Sequence, residues 1–178
     1  MPHEPKRKPR PPLDGDALER LALFYAGRYA TTRARLRNYL ARKIAERGWS
    51  GDGAAPIEAL AERLAGLGYV DDKAFAASRA ASLGRRGYGK RRVADALKAA
   101  GIDEEDSADA RELAKDGAWQ AALRFAERRR IGPFAATQAD RPAREKAMAA
   151  MLRAGHPPGI VRRLVHALPG NIPESDGF

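Results

Sequence analysis

Apolar residues recur every three or four positions through most of the chain, a spacing that predicts helices rather than strands. Leu18, Leu21, Tyr25 and Tyr29 fall on one side of a first helix that opens near Asp14 or Asp16. Thr31-Thr32 breaks it and re-caps the next, since a threonine oxygen can accept from a free amide of the following turn. Leu36, Tyr39, Leu40 and Ile44 share one face of the second helix. Its other face shows Arg33, Arg35, Arg37, Arg42 and Lys43, with no acid before Glu46. Gly48 to Pro56 is a loop, in which Trp49 is expected to dock onto a neighbouring helix, with base stacking as the alternative. Ile57, Leu60, Leu64 and Leu67 make a third helix, ended by Gly66 and Gly68.

The same plan returns twice. Asp71 can accept from the amides of the turn that follows it, and both Asp71 and Asp72 suit the positive end of a helix dipole. Phe75 and Leu83 lie on roughly one face of that helix. Gly84, Gly87 and Gly89 then interrupt it, because glycine loses the most entropy when fixed in a helix. Val93, Leu97 and Ala100 line the next helix, and Gly101 closes it as a C-cap. Arg85, Arg86, Tyr88, Lys90, Arg91 and Arg92 sit between the two helices, with no acid among them. Asp103-Glu104-Glu105-Asp106 opens a further helix, with Ile102, Ala108 and Leu113 expected to face inward.

The third set starts near Gly117. Trp119, Leu123 and Ala126 share a face, Glu127-Arg128-Arg129-Arg130 follows, and Ile131 to Phe134 ends the helix. Residues 135–141 read as an irregular linker. Ala143 to Ala154 is the next helix, with Ala147 and Met151 facing inward and Met148 a further candidate. After a Gly-His-Pro-Pro-Gly turn, Ile160, Val161, Leu164, Val165 and Leu168 make the last helix. Val93, Leu97, Gly101 and Ile102 align with Ala147, Met151, Gly155 and His156 at an offset of 54, and Leu36 and Leu40 align with Val93 and Leu97 at 57. A period near 50 predicts tandem repeats in which each unit mostly contacts its neighbours.

The run Gly68-Tyr69-Val70-Asp71-Asp72-Lys73-Ala74-Phe75-Ala76, followed by Gly89-Lys90-Arg91-Arg92-Val93 and by Leu97 to Ile102, resembles the central repeat of the RecX family. One family feature is altered: a Ser-Arg-x-Glu-Leu helix start reads Thr32-Arg33-Ala34-Arg35-Leu36 here. The glutamate that would complete a capping box is replaced by Arg35. The resemblance spans about residues 14–168. It implies an all-α fold of three tandem three-helix repeats forming an elongated, curved array. The expected boundaries are a disordered basic tail at 1–13, repeats at 14–68, 69–116 and 117–168, and a C-terminal tail at 169–178. It also implies a non-enzymatic regulator that lodges on the RecA–single-stranded-DNA filament and reduces ATP hydrolysis, strand exchange and stimulation of LexA self-cleavage.

Composition narrows the field further. Among the 178 residues hydrophobic types make up 44% and aromatics 7%, so alanine does much of the packing. There is no cysteine, hence no disulfide framework, thiolate metal site or cysteine nucleophile. No stretch approaches the roughly 18 apolar residues that span a bilayer. The basic N-terminus has no apolar core behind it, so a secretory signal is not expected, and the simple expectation is a cytoplasmic monomer. Net charge is +10 with a pI near 10.3, and it is uneven. Residues 68–102 carry +5, 103–116 carry −5 and 117–168 carry +7. A strongly basic, unevenly charged chain points to an anionic partner, most commonly nucleic acid; the bland alternative is a solvated basic surface.

No catalytic constellation is visible. His3, His156 and His166 have no partner at metal-ligand spacing. Gly84 to Lys90 lacks the spacing and trailing hydroxyl of a phosphate-cradling loop. No enzyme and no cofactor is expected. The candidate contacts with filament or DNA are therefore Arg33, Arg35 and Arg37 in the first repeat, and Arg85, Arg86, Tyr88, Lys90, Arg91 and Arg92 in the second. Arg128, Arg129, Arg130, Arg144 and Lys146 complete the set in the third. Stacked repeats could line these up along one concave surface, binding phosphates with steep salt dependence and little sequence preference. Tyr88 is either a base-stacking residue or a lid on its helix pair. Two other readings share these features: a nonspecific architectural protein for single-stranded or duplex DNA, and a helical scaffold for an acidic protein.

Overall fold

The computed structural model of the protein describes residues 10–175. Most of the expected basic tail, and Asp176 to Phe178 of the C-terminal tail, lie outside the described residues. Nine α-helices follow one another among the described residues: α1 Gly15–Arg28, α2 Arg33–Arg47, α3 Ile57–Gly66, α4 Asp72–Arg85, α5 Lys90–Ala99, α6 Glu104–Asp116, α7 Ala118–Arg129, α8 Arg141–Arg153 and α9 Pro158–His166. No strand accompanies them there, only one isolated bridge between Leu13 and Trp49.

Capping explains several of the starts. Asp14, Thr32, Asp103 and Asp140 each accept from the amide three residues on, at 2.8, 3.2, 2.8 and 2.9 Å. Each bond satisfies one of the free amides at a helix start. The second helix of each triplet ends on a glycine with positive φ: Gly48 (85°), Gly101 (72°) and Gly155 (91°). The residue after each turns into an apolar cluster: Trp49, Ile102 and His156. These glycines are 53 and 54 residues apart, whereas the leucines of α2 align with α5 at 57. The difference arises because α2 runs 15 residues and α5 only 10.

The chain divides after Asp72 into two compact units. The first centres on Leu13, Leu18, Leu36, Leu40, Leu60 and Leu64, with Trp49 packed against them. Leu13, expected to end a tail, is fully buried. Its amide donates to Gly48 O and its carbonyl accepts from Ser50 N, both at 2.9 Å, so the loop after α2 holds it as a short extended strap. Leu67 caps the end of α3 and is 65% exposed rather than inward.

The second unit holds two apolar clusters. One joins Ala76, Ala80, Leu83, Val93, Leu97 and Ile102 from α4, α5 and the turn after α5. The other joins Trp119, Phe125, Met151, Ile160 and Leu164 from α7, α8 and α9. Tyr88 packs against both. Gly84 does not break α4, which runs on to Arg85; the break comes at Gly87, with φ at 71°. On α6 the inward face is Ser107 and Ala110, while Leu113 is 60% exposed. Ile102 precedes that helix rather than belonging to it. Between α7 and α8 the chain makes one 3₁₀ turn, Gly132–Phe134, just before the expected linker.

Candidate nucleic-acid interface

Arginines and lysines in the two units meet different surroundings. In the first unit, the sequence-predicted Arg33 and Arg37 are drawn into carboxylates. Arg33 lies 3.4 Å from Asp72 Oδ2 and 3.4 Å from Glu62, and its amide donates to Asp72 Oδ1 at 2.9 Å. Arg37 lies 2.6 Å from Glu58 and 3.5 Å from Glu62. Both side chains tie α2 to carboxylates of the same unit, Glu58 and Glu62 on α3 and Asp72. Arg35 is exposed on α2.

The basic turn of the second unit is built differently. Gly87 and Gly89 bend the chain between α4 and α5, and α8 and its C-terminal turn close against that bend. Gly89 N donates to Ala154 O at 2.9 Å, and Arg91 N donates to Gly155 O at 3.2 Å. A Cβ on Gly89 would overlap the Gly155 carbonyl, so only glycine fits this approach. His156 is buried, and its Nε2–H donates to Gly87 O at 3.1 Å, with the Phe125 ring edge-on 5.4 Å away. Burial pushes the imidazole down to about 4, outweighing the raising effect of the Gly87 carbonyl, so it is neutral at pH 7.

Guanidinium groups tighten the same joint. Arg128 donates to Arg86 O, Arg124 to Gly84 O at 3.2 Å and Arg91 to Leu152 O at 2.9 Å. Each donates to a backbone carbonyl rather than to a carboxylate, so its charge is left unneutralised.

Arg85, Arg86, Lys90, Arg91 and Arg92 are all exposed. So are Arg128, Arg129, Arg130 and Lys146, with Arg144 half-buried. None of these ten pairs with a carboxylate among the described residues, although other cations of this unit do: Arg111 with Glu104, Lys115 with Glu112, and Arg141 with Glu145. Tyr88 is half-buried with the Arg86 guanidinium 5.3 Å from its ring centroid. Its packing against both apolar clusters favours the lid over the base-stacking alternative.

Arg129, Arg130, Arg144 and Lys146 converge on a cavity of about 320 Å³ over an alanine floor. Arg153 joins them there. Sequence reasoning missed Arg153, although it follows Lys146 by seven residues on α8, two turns along one stripe. Arg124 was missed likewise, one turn before Arg128. The acidic helix α6 is mostly exposed; Asp103 caps it, and Arg111 and Lys115 offset part of its charge.

Such a surface offers guanidinium and ammonium donors without an acid-base pair or a metal cage. Among the described residues no group of three or more His, Cys, Asp or Glu could hold a metal ion. Such donors can pair with anionic oxygens, phosphodiesters among them.

Comparison with known proteins assigns the chain. A family model described as "RecX, second three-helix domain" matches residues 71–110, the stretch from Asp71 through α5 into α6. The Regulatory protein RecX of Myxococcus xanthus (strain DK1622) is 32% identical over 163 residues, covering 85% of this chain and 86% of that one. The crystal structure of RecX from Lactobacillus salivarius superposes with a TM-score of 0.60 at 18% identity, covering 85% of this chain and 94% of that one. A second crystal structure of regulatory protein RecX gives 0.58 at 20%, covering 84% and 72%. The two structures share the fold. With the Myxococcus xanthus relative aligned over most of both chains, this protein belongs to the RecX family.

Proposed function

We propose that this chain is a non-enzymatic regulator that binds the RecA–single-stranded-DNA filament and restrains its ATP hydrolysis, strand exchange and LexA-cleaving activity. It would thereby modulate recombination, DNA repair and the SOS response in the cytoplasm, acting as a monomer of three helical repeats at 14–68, 69–116 and 117–168. The observation that supports this most is the set of ten exposed or half-exposed cations in the second unit with no carboxylate partner among the described residues. The compact joint at Gly89, Gly155 and His156 keeps two of the basic groups in one body. A rigid basic surface can favour one arrangement of a polyanionic filament over others, and differential binding of one state is enough to inhibit. No helix among the described residues is long and apolar enough to cross a membrane.

The same cations would serve a nonspecific architectural DNA binder. The two readings separate on binding preference. We expect tighter association with RecA-coated single-stranded DNA than with the bare strand at equal salt, measured by co-sedimentation. Equal or weaker association with the coated strand would favour the architectural reading.

A further inference from the structure

The first unit carries an aromatic row that the basic surface does not use. Tyr25 and Tyr39 are stacked, with centroids 4.2 Å apart and planes at 12°. Tyr25 also meets Tyr29 at 5.4 Å and 51°. The Arg28 guanidinium lies 5.9 Å from the Phe24 ring and 5.9 Å from the Tyr29 ring, joining them. At the far end, Arg42 and Lys43 each lie 5.8 Å from Tyr39. Tyr25 and Tyr39 are half-buried against the leucine core, which fixes the row's inner members. Phe24 and Tyr29 are 59% and 51% exposed at its outer end.

We infer that this row is a stacking surface for unpaired nucleobases of single-stranded nucleic acid, centred on Phe24, Arg28 and Tyr29. Two exposed rings beside a guanidinium that makes no ion pair among the described residues offer π faces and positive charge together. A polyanion with exposed bases complements both. Arg42 and Lys43 share the Glu46 carboxylate, at 3.7 and 2.6 Å, whereas Arg28 has no carboxylate partner among the described residues. The described part of this unit, residues 10–72, holds ten Lys/Arg against nine Asp/Glu. Its attraction for phosphate is therefore weak, and stacking supplies a contribution that depends on bases and little on salt.

The inference rests on the proposal that the chain meets single-stranded DNA, and the test keeps the two apart. Anisotropy would be followed for a labelled dT oligonucleotide and for one of equal length built from abasic phosphodiester units. The whole chain would be titrated at two salt concentrations. Wild type should bind the dT strand about tenfold more tightly than the abasic one, the scale of stacking one or two bases. Phe24→Ser with Tyr29→Ser should lower dT affinity to the abasic level and leave abasic affinity and its salt slope unchanged. Phe24→Trp, which keeps a ring, should retain the preference, and urea unfolding checks that the double variant folds. A preference that survives the double substitution overturns the inference, as does an equal loss on both strands. A lowered affinity for RecA-coated DNA with the dT preference intact overturns it too, and assigns the row to protein contact. Equal wild-type binding to both strands overturns only the stacking surface; no binding to either also removes direct contact with bare single-stranded DNA.

Discussion

The carboxylate of Asp72 holds the N-terminus of α2. Its Oδ1 accepts from the Arg33 amide at 2.9 Å and its Oδ2 faces the Arg33 guanidinium at 3.4 Å. In the family pattern a glutamate inside the helix start serves that turn, and Arg35 stands in its place here. The missing negative charge arrives instead from a residue 39 positions away, where it meets the positive end of the α2 dipole. Asp72, expected from the sequence to serve the start of α4, thus serves the start of α2. Asp72→Ala is expected to destabilise the first unit by about 2 kcal/mol, the scale of a hydrogen bond to a charged group, read as a lower urea midpoint. Arg33→Gln should leave the salt dependence of DNA binding unchanged; a flatter salt slope would contradict the structural role given to Arg33.

Exposed cations of the basic turn should behave in the opposite way. Arg85, Lys90 and Arg92 make no side-chain hydrogen bond or ion pair among the described residues. Replacing all three by glutamine should change stability by less than about 0.5 kcal/mol, as for ordinary surface positions. The log–log salt slope of single-strand binding should fall by about 2, near 0.7 for each phosphate no longer neutralised. An unchanged slope would place the phosphates elsewhere.

Arg130 is the one non-glycine residue with positive φ among the described residues, at φ 52° and ψ 50°. It caps α7 in a conformation that usually falls to glycine. Keeping a side chain there costs about 1 kcal/mol. It brings a cation to the cavity lined by Arg129, Arg144, Lys146 and Arg153, which under the proposed function would offset that cost. Arg130→Gly is expected to raise the melting temperature slightly while weakening DNA binding. A variant that is less stable would show that the arginine side chain supports the fold.

His156 makes stability fall on acidification. Folded, its pKa is held down to about 4 by burial; unfolded, it takes a proton near 6.5. Between those values the unfolded chain binds more protons, so stability is greatest above about pH 6.5 and declines as pH drops toward 4. Urea midpoints at pH 7 and pH 5 should differ for wild type. The difference should be smaller for His156→Gln, which keeps a donor for the Gly87 carbonyl. Equal differences in both proteins would contradict a buried neutral imidazole.

Much of the fold was legible because its helices carry leucine at helical spacing and its turns carry glycine. Leu36, Leu40, Leu64, Val93 and Leu97 are all buried as the spacing predicts. Where alanine and serine form the packed face, hydrophobicity misleads. On α6 the close approach selects Ser107 and Ala110, and leaves the larger Leu113 outside. Leu13 gave no periodic signal because one residue of strap pairs with a loop rather than with a helix face. The basic turn was visible as a run of charge without acids. The neutralisation of Arg33 and Arg37 was not, since it depends on acids 21 to 39 residues away. Tyr25 and Tyr39 carry the spacing of core residues, and nothing in that spacing reveals that their rings stack on each other.

ATP hydrolysis by preassembled RecA filaments on single-stranded DNA would show whether the protein restrains the filament. This protein would be titrated below one copy per recombinase, with the variant neutralised at Arg85, Lys90 and Arg92 run beside it. Hydrolysis is expected to fall at substoichiometric wild-type protein, and the variant should need several-fold more to achieve the same effect. Unchanged hydrolysis at every ratio, or inhibition only once there is enough protein to cover the bare strand, would contradict the proposed restraint.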